Sequence, residues 1–408
     1  MATTLIGPFT QLLPLTGLPL KGALNDEQLT LINNGGILFS EGKIVKIGLF
    51  ADLKENVDTI IHIDGDTVCL PGFIDAHTHI CFGGSRANDF ALRNSGKSYL
   101  EIAKAGGGIW DTVTKTRKLL EAELVEGIIT RTKAHIKAGV TTLEVKSGYG
   151  LNVTEELKML RAIKTADKIT AQQLVPTCLA AHMVPKDWSN QPEAYLELIS
   201  QELFPVLQSE NLANRIDAFI EESAFTAQQI APYFKKAQHM GFDITVHADQ
   251  FTTSGSQVAV DFNAVSADHL EASTMLEVEM LAKSNTVATA LPGASIGLGC
   301  AYTPARKLLD AGACLAIASD HNPGSAPMGN LLTQASILAT FEKLSNAEVL
   351  AGLTFRAAKA LNLNDRGVLA RGMNADLVVY PTKNYQEITY QQGQLKPSQV
   401  FIKGVPKI

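Results

Sequence analysis

His77 and His79 stand one residue apart in the segment FIDAHTHICFGG (73–84), directly after the apolar run TVCLPGFI (67–74). The run reads as a buried strand, and side chains alternate faces along a strand, so both imidazoles point the same way, about 6.5–7 Å apart. Two imidazoles so placed can share a metal ion, or can simply satisfy buried carbonyls. The other histidines favour the metal. Of nine in the chain, His77, His79, His182, His247, His269 and His321 fall where apolar, β-branched runs end, with Asp320 beside the last. His62, His135 and His239 lie in a flank strand and two helical patterns and read as structural. Taken singly, His182 or His269 is as readily a satisfied core histidine, and Asp320 a helix cap. Taken together they predict a nitrogen/oxygen site of three imidazoles and a carboxylate, suited to Zn²⁺ or Fe²⁺ with a position open for water. Such a site brings the pKa of water to about 7. Asp320 can take that water's proton and pass it to a leaving nitrogen, while His269 bonds the water or the developing oxyanion. The chemistry predicted is attack on a carbon that bears nitrogen: an amide, a cyclic amide or an amidine.

Residues must be carried to one rim for this to work. Candidate strands run over 69–80, 141–148, 173–182, 215–222, 243–249, 264–270, 286–293 and 314–320. Between them lie segments with apolar residues at helical spacing, such as 124–139 and 153–167, the second with only a partial cap from Thr154. Eight strands alternating with helices predict a parallel sheet closed as a distorted (β/α)₈ barrel, whose chemistry sits at the strands' C-terminal ends. The flanks differ. Residues 28–66 and 367–408 read as strands and turns, with Asn-Gly-Gly among the turn signals, and neither is long enough for its own core. They predict a small β-sandwich domain built from both termini, 1–66 with 361–408, beside a catalytic barrel over 67–360.

The whole chain limits the alternatives. It has 408 residues, 46% hydrophobic, with a net charge of −6, which gives no reason to expect nucleic acid or an anionic membrane as partner. No apolar run is of membrane-spanning length, and the start lacks a basic signal-like region. Five scattered cysteines without a Cys-x-x-Cys pair predict neither a disulfide framework nor a thiolate zinc site, and so a reducing cytoplasm.

PGFIDAHTH (71–79), VHADQ (246–250), ADH (267–269) and SDHNPGSAP (319–327) together resemble the amidohydrolase superfamily. Within it, HTHICFGGSRANDF (77–90), AGGGIWDTVTKTR (105–117), EVKSGYGL (144–151) and DHNPGS (320–325) are similar to the imidazolonepropionase family. The resemblance implies a homodimer that uses water to open the ring of 4-imidazolone-5-propanoate, a small carboxylate-bearing substrate, giving N-formimidoyl-L-glutamate. Position by position it makes His77, His79, His247 and Asp320 the ligands of one divalent ion, Zn²⁺ or Fe²⁺. It makes Arg86, Tyr149, His182, Asn322, Gly324 and Ser325 substrate contacts. A guanidinium at Arg86 suits the propanoate carboxylate. Gln250 stands where some members carry glutamate; unable to act as a base, it orients substrate or water, leaving proton transfer to Asp320 and His269. Lys146 lies on the second strand, whereas the superfamily's bridging lysine lies on the fourth, so a single ion is expected. Gly106–Gly108 lack the Lys-Ser/Thr of a phosphate loop and read as a close-approach turn or part of a lid.

Overall fold

The computed structural model describes residues 2–97, 101–102, 105–189, 191–222 and 224–408. Among the described residues sixteen strands form two sheets. β1 (Thr3–Leu12), β2 (Ile32–Ser40), β3 (Lys43–Leu49), β4 (Thr59–His62), β5 (Val68–Pro71), β14 (Leu377–Tyr380), β15 (Gln399–Ile402) and β16 (Val405–Pro406) make the first. β6 (Phe73–Asp75), β7 (Val140–Lys146), β8 (Gln173–Ala181), β9 (Arg215–Phe219), β10 (Asp243–Ala248), β11 (Ser266–His269), β12 (Val287–Ala290) and β13 (Leu315–Ile317) make the second.

The second sheet is all parallel and ordered as in the chain. Its edges meet: Thr78 and His321 form a parallel bridge, and the Asp320 N–H donates to the His77 carbonyl at 3.0 Å. This is the expected barrel, with every predicted barrel strand found and shortened. Strands such as β7 (VTTLEVK) are buried at every position, because helices cover the outside and side chains fill the inside. The helix Glu121–Lys137 turns Leu124, Val125, Ile128, Thr132, His135 and Ile136 inward at 3.6-residue spacing. The helix Val153–Asp167 spans the residues expected of it, but its cap is Asn152, whose side chain accepts from the Glu155 N–H at 2.8 Å. No helix among the described residues is long and apolar enough to cross a membrane.

The first predicted strand, 69–80, is in fact two. β5 pairs with β1 and β14 in the terminal sheet, and β6 pairs with β7 in the barrel. The chain changes sheets at Gly72, where an added Cβ would lie 2.4 Å from the Thr141 side chain. His77 and His79 therefore sit beyond β6, on the segment that closes the barrel, and not on a regular strand. The flanks do meet in one mixed sheet. It folds over a core of Ile6, Phe9, Leu12, Ile37, Phe39, Leu377, Val379 and Phe401. Asn33 to Gly36, expected as a turn, lie inside β2. Gly35 and Gly36 let β2 approach Leu12 and Phe50, and the chain turns at Glu41-Gly42 instead.

Candidate metal centre and substrate cavity

Four of the side chains expected as ligands converge at the barrel's C-terminal rim. His77 Nε2 and His79 Nε2 are 3.2 Å apart, and His247 Nε2 is 3.3 Å from His79 Nε2. Asp320 Oδ1 lies 3.6 Å from His77 Nε2 and 3.5 Å from His79 Nε2. Donor atoms placed about 2.0–2.1 Å from a common centre in a tetrahedron stand roughly 3.3 Å apart, so these spacings fit a divalent metal. His269 joins the group: one of its ring nitrogens, one of His77 and a carboxylate oxygen of Asp320 lie within 4.8 Å of one another.

Buried carboxylates orient the rings. Asp268 Oδ2 accepts from His77 Nδ1 at 2.7 Å, and Asp217 Oδ2 lies 2.9 Å from His247 Nδ1. The Asp268 bond keeps the proton on His77 Nδ1 and leaves its Nε2 bare, as a metal-binding imidazole requires, whereas Asp217 faces His247 Nδ1 without the alignment of a hydrogen bond. Lys146 joins the two carboxylates: its ammonium is 2.7 Å from Asp217, 2.9 Å from Glu144 and 3.8 Å from Asp268, all fully buried. A lysine held this way is a charged hub and not a bridging ligand. Burial depresses the His77 and His79 pKa values well below the usual range, helped for His77 by Lys146 and for His79 by His247. Both rings are neutral and free to donate lone pairs. Burial also works to lower His269, but Glu271, 3.3 Å from its Nδ1, with Asp320 and Asp268 outweighs it and raises the pKa. His269 and Asp320 have backbone φ of 86° and 52°, left-handed values that cost non-glycine residues about 1–3 kcal/mol each. That backbone departs from strand alternation and lets the neighbours Asp268 and His269 both reach the centre.

The centre opens into a cavity of about 520 Å³, lined in part by Arg86, Tyr149, His182, Gln250, Gly324 and Ser325. His182, held neutral by burial at a pKa of about 3, donates Nδ1–H to the Gly148 carbonyl at 2.9 Å. Its Nε2 is then an acceptor. Asn322 also lines the cavity, but its amide is consumed by its own turn. Nδ2 donates to the Asp320 carbonyl and Ser325 Oγ, while Oδ1 accepts from Gly324 and Ser325 N–H. Gly324 makes room for Arg86, since a Cβ there would stand 2.1 Å from the guanidinium. Arg86 Nε pairs with Asp89 at 2.8 Å, and the same carboxylate accepts the Gly108 N–H, so the triple glycine is the close-approach turn expected. His321 does not join the cluster: its Nδ1 lies 2.9 Å from His135 Nε2.

Residues 68–407 match the amidohydrolase family. Imidazolonepropionase of Idiomarina loihiensis is 40% identical over 384 residues, 93% of this chain and 94% of the relative. That of Bdellovibrio bacteriovorus is 39% identical over 412 residues, covering 98% and 95%. This chain belongs to the imidazolonepropionase family of amidohydrolases. Among solved structures, a triazine hydrolase variant superposes with a TM-score of 0.76 at 16% identity, covering 99% of this chain and 94% of that one. A zinc-bound adenosine deaminase from Xanthomonas campestris gives 0.73 at 18%, covering 100% and 93%. At such identities the likeness concerns the fold alone. Four polar groups of this family member escaped the sequence reading: Asp217, Asp268, Glu271 and the hub role of Lys146. Asp268 stood beside His269 in ADH, but alternation places it on the opposite strand face. Asp217 carried no signal at all.

Proposed function

We propose that this chain hydrolyses the ring amide C–N bond of 4-imidazolone-5-propanoate to N-formimidoyl-L-glutamate, a step of histidine degradation. The observation that carries this reading is the near full-length similarity to imidazolonepropionases, 38–40% over at least 92% of the chain. Under this reading His77, His79, His247 and Asp320 hold one ion, Zn²⁺ or Fe²⁺, and His269 and Asp320 are the catalytic groups. When bound, the ion polarises the ring carbonyl and acidifies water. Asp320 takes the proton of the attacking water as its oxygen bonds to the carbonyl carbon, then delivers it to the ring nitrogen as the C–N bond breaks. Ser325 Oγ, 3.3 Å from Asp320 Oδ2, steadies that carboxylate between the two transfers. His269 stands over the same atoms and supports the developing oxyanion.

The remaining groups bind. The terminal nitrogens of Arg86, not engaged by Asp89, clamp the propanoate. His182 accepts a ring N–H through Nε2, because its own proton is committed to Gly148. Tyr149 and Gln250 orient the ring, while Asn322 and Gly324 shape the wall. We further propose a division into residues 1–66 with 361–408 and residues 67–360, with β5 (Val68–Pro71) reaching across into the terminal sheet, a homodimer, and a cytoplasmic setting suited to five unpaired cysteines.

The test gives metal-loaded protein fresh 4-imidazolone-5-propanoate, follows loss of the ring's ultraviolet absorption and identifies the product, beside a chelated sample and Asp320→Asn. Metal-dependent formation of N-formimidoyl-L-glutamate, lost in the variant, is expected. No acceleration over the blank with metal bound would remove the substrate assignment. His269→Asn should lower turnover by roughly 10²–10⁴ at near-normal metal content; unchanged turnover would take it out of the mechanism.

A further inference from the structure

We propose that Arg93 is a second cation of the carboxylate subsite, a specificity-determining residue that works with Arg86 to select anionic substrates. The inference rests on the function proposed above. Arg86 immediately precedes the helix Ala87–Asn94 and Arg93 lies in its last turn, seven residues on, so both side chains leave the same face. Both line the cavity and both approach Gly324. Arg86 presses against the space a Gly324 side chain would fill, and Arg93 Nη2 is 3.5 Å from the Gly324 carbonyl, too long for a strong bond.

The charges around this pair do not balance. Asp89 is committed to Arg86 Nε and the Gly108 N–H. Arg93 has no carboxylate within ion-pair distance among the described residues, and its Nε is buried without a hydrogen-bond partner. Lys97, which also lines the cavity, is matched by Glu101 at 3.1 Å. Partial burial and then the Arg86 charge press the Arg93 pKa down, and the nearby Asp89 carboxylate only partly opposes them. An anion between the two guanidiniums relieves both, and the propanoate is the anion the reaction brings. Two cations at the mouth of a chain with net charge −6 also draw anions into this cavity ahead of the surrounding surface.

Calorimetric binding of 3-(imidazol-4-yl)propanoate, an unreactive analogue, and of its neutral propanamide separates Arg93 from the chemistry. The metal-loaded full chain is compared with Arg93→Gln, Arg93→Lys and, as a distant exposed control, Arg371→Gln. Arg93→Gln should weaken propanoate binding by about ten-fold or more, the loss of one charge-assisted bond. Propanamide binding should stay within two-fold, Arg93→Lys should recover most of the affinity, and the salt dependence of propanoate binding should flatten in Arg93→Gln alone. With the true substrate the loss should appear in KM while kcat holds. Unchanged propanoate binding in Arg93→Gln, or an equal loss for propanamide, would overturn the assignment. Turnover by the wild-type protein is measured separately: propanoate binding sensitive to Arg93 without turnover sinks the reaction and keeps the subsite, and turnover with binding indifferent to Arg93 does the reverse.

Discussion

Lys146→Met removes the charge that joins the ligand-orienting carboxylates. In the native chain the ammonium stands 2.7 Å from Asp217, 2.9 Å from Glu144 and 3.8 Å from Asp268. At an effective dielectric near 20 these separations correspond to about 6, 6 and 4 kcal/mol of attraction. Most of that is offset by the cost of taking the ammonium out of water, a cost the methionine does not carry. What remains is the penalty for stranding buried carboxylates, about 3–5 kcal/mol. Methionine nearly preserves the volume, so packing adds little. Burial works to raise the Asp217 carboxyl, and His247 with Lys146 overcomes it to hold the pKa below the usual range. Without Lys146 the stranded carboxylates bind protons more readily in the folded state. The deficit is therefore largest near pH 8 and narrows as pH falls toward 5. Urea unfolding of chelated protein at both pH values measures it, with exposed Lys283→Met as a control expected within about 0.5 kcal/mol of wild type. A Lys146→Met protein within about 1 kcal/mol of wild type at pH 8, or a deficit that grows on acidification, would refute the reasoning.

Three further outcomes are expected. Asp268→Asn leaves His77 without its proton-fixing carboxylate and should weaken metal binding roughly 10–100-fold in competition with a chromophoric chelator; unchanged affinity would mean the 2.7 Å contact does not tune the centre. Glu156 accepts the N–H groups of Gly148, Gly150 and Leu151 and so fixes the turn that carries Tyr149. Glu156→Ala, which strands those donors at about 1–3 kcal/mol each, should depress stability and kcat/KM together, while Glu156→Gln retains more of both. Burial raises the Asp376 pKa, so its ionisation costs stability as pH rises through the folded value. Asp376→Asn keeps an acceptor for the Lys403 N–H and should be the more stable protein at pH 8, with the advantage vanishing at low pH; thermal melts at two pH values decide it.

Local pattern carried much of this protein. The eight barrel strands and the helix Val153–Asp167 follow from apolar periodicity, and five of the six histidines read at strand ends gather at one rim, His321 turning instead to His135. The misreadings share a cause. Residues 69–80 look like one strand because both halves are apolar, and only contact with Thr141, some seventy positions away, requires Gly72 and the change of sheet. Asn33-Asn34-Gly35-Gly36 has the composition of a turn, yet packing of Leu12 and Phe50 against it fixes it as strand.

The sequence by itself determined which side chains could do chemistry and the order of the elements that present them, since both are written in residue type and local spacing. Only the tertiary structure decided the rest. It chose which nitrogen of each histidine faces the centre, which carboxylates hold those rings, and which direction the His182 proton points. It also left Arg93 without a carboxylate partner beside Arg86. These depend on pairs such as His77 with Asp268 and Lys146 with Asp217, 191 and 71 residues apart, and no local pattern encodes a contact closed by the curvature of a barrel.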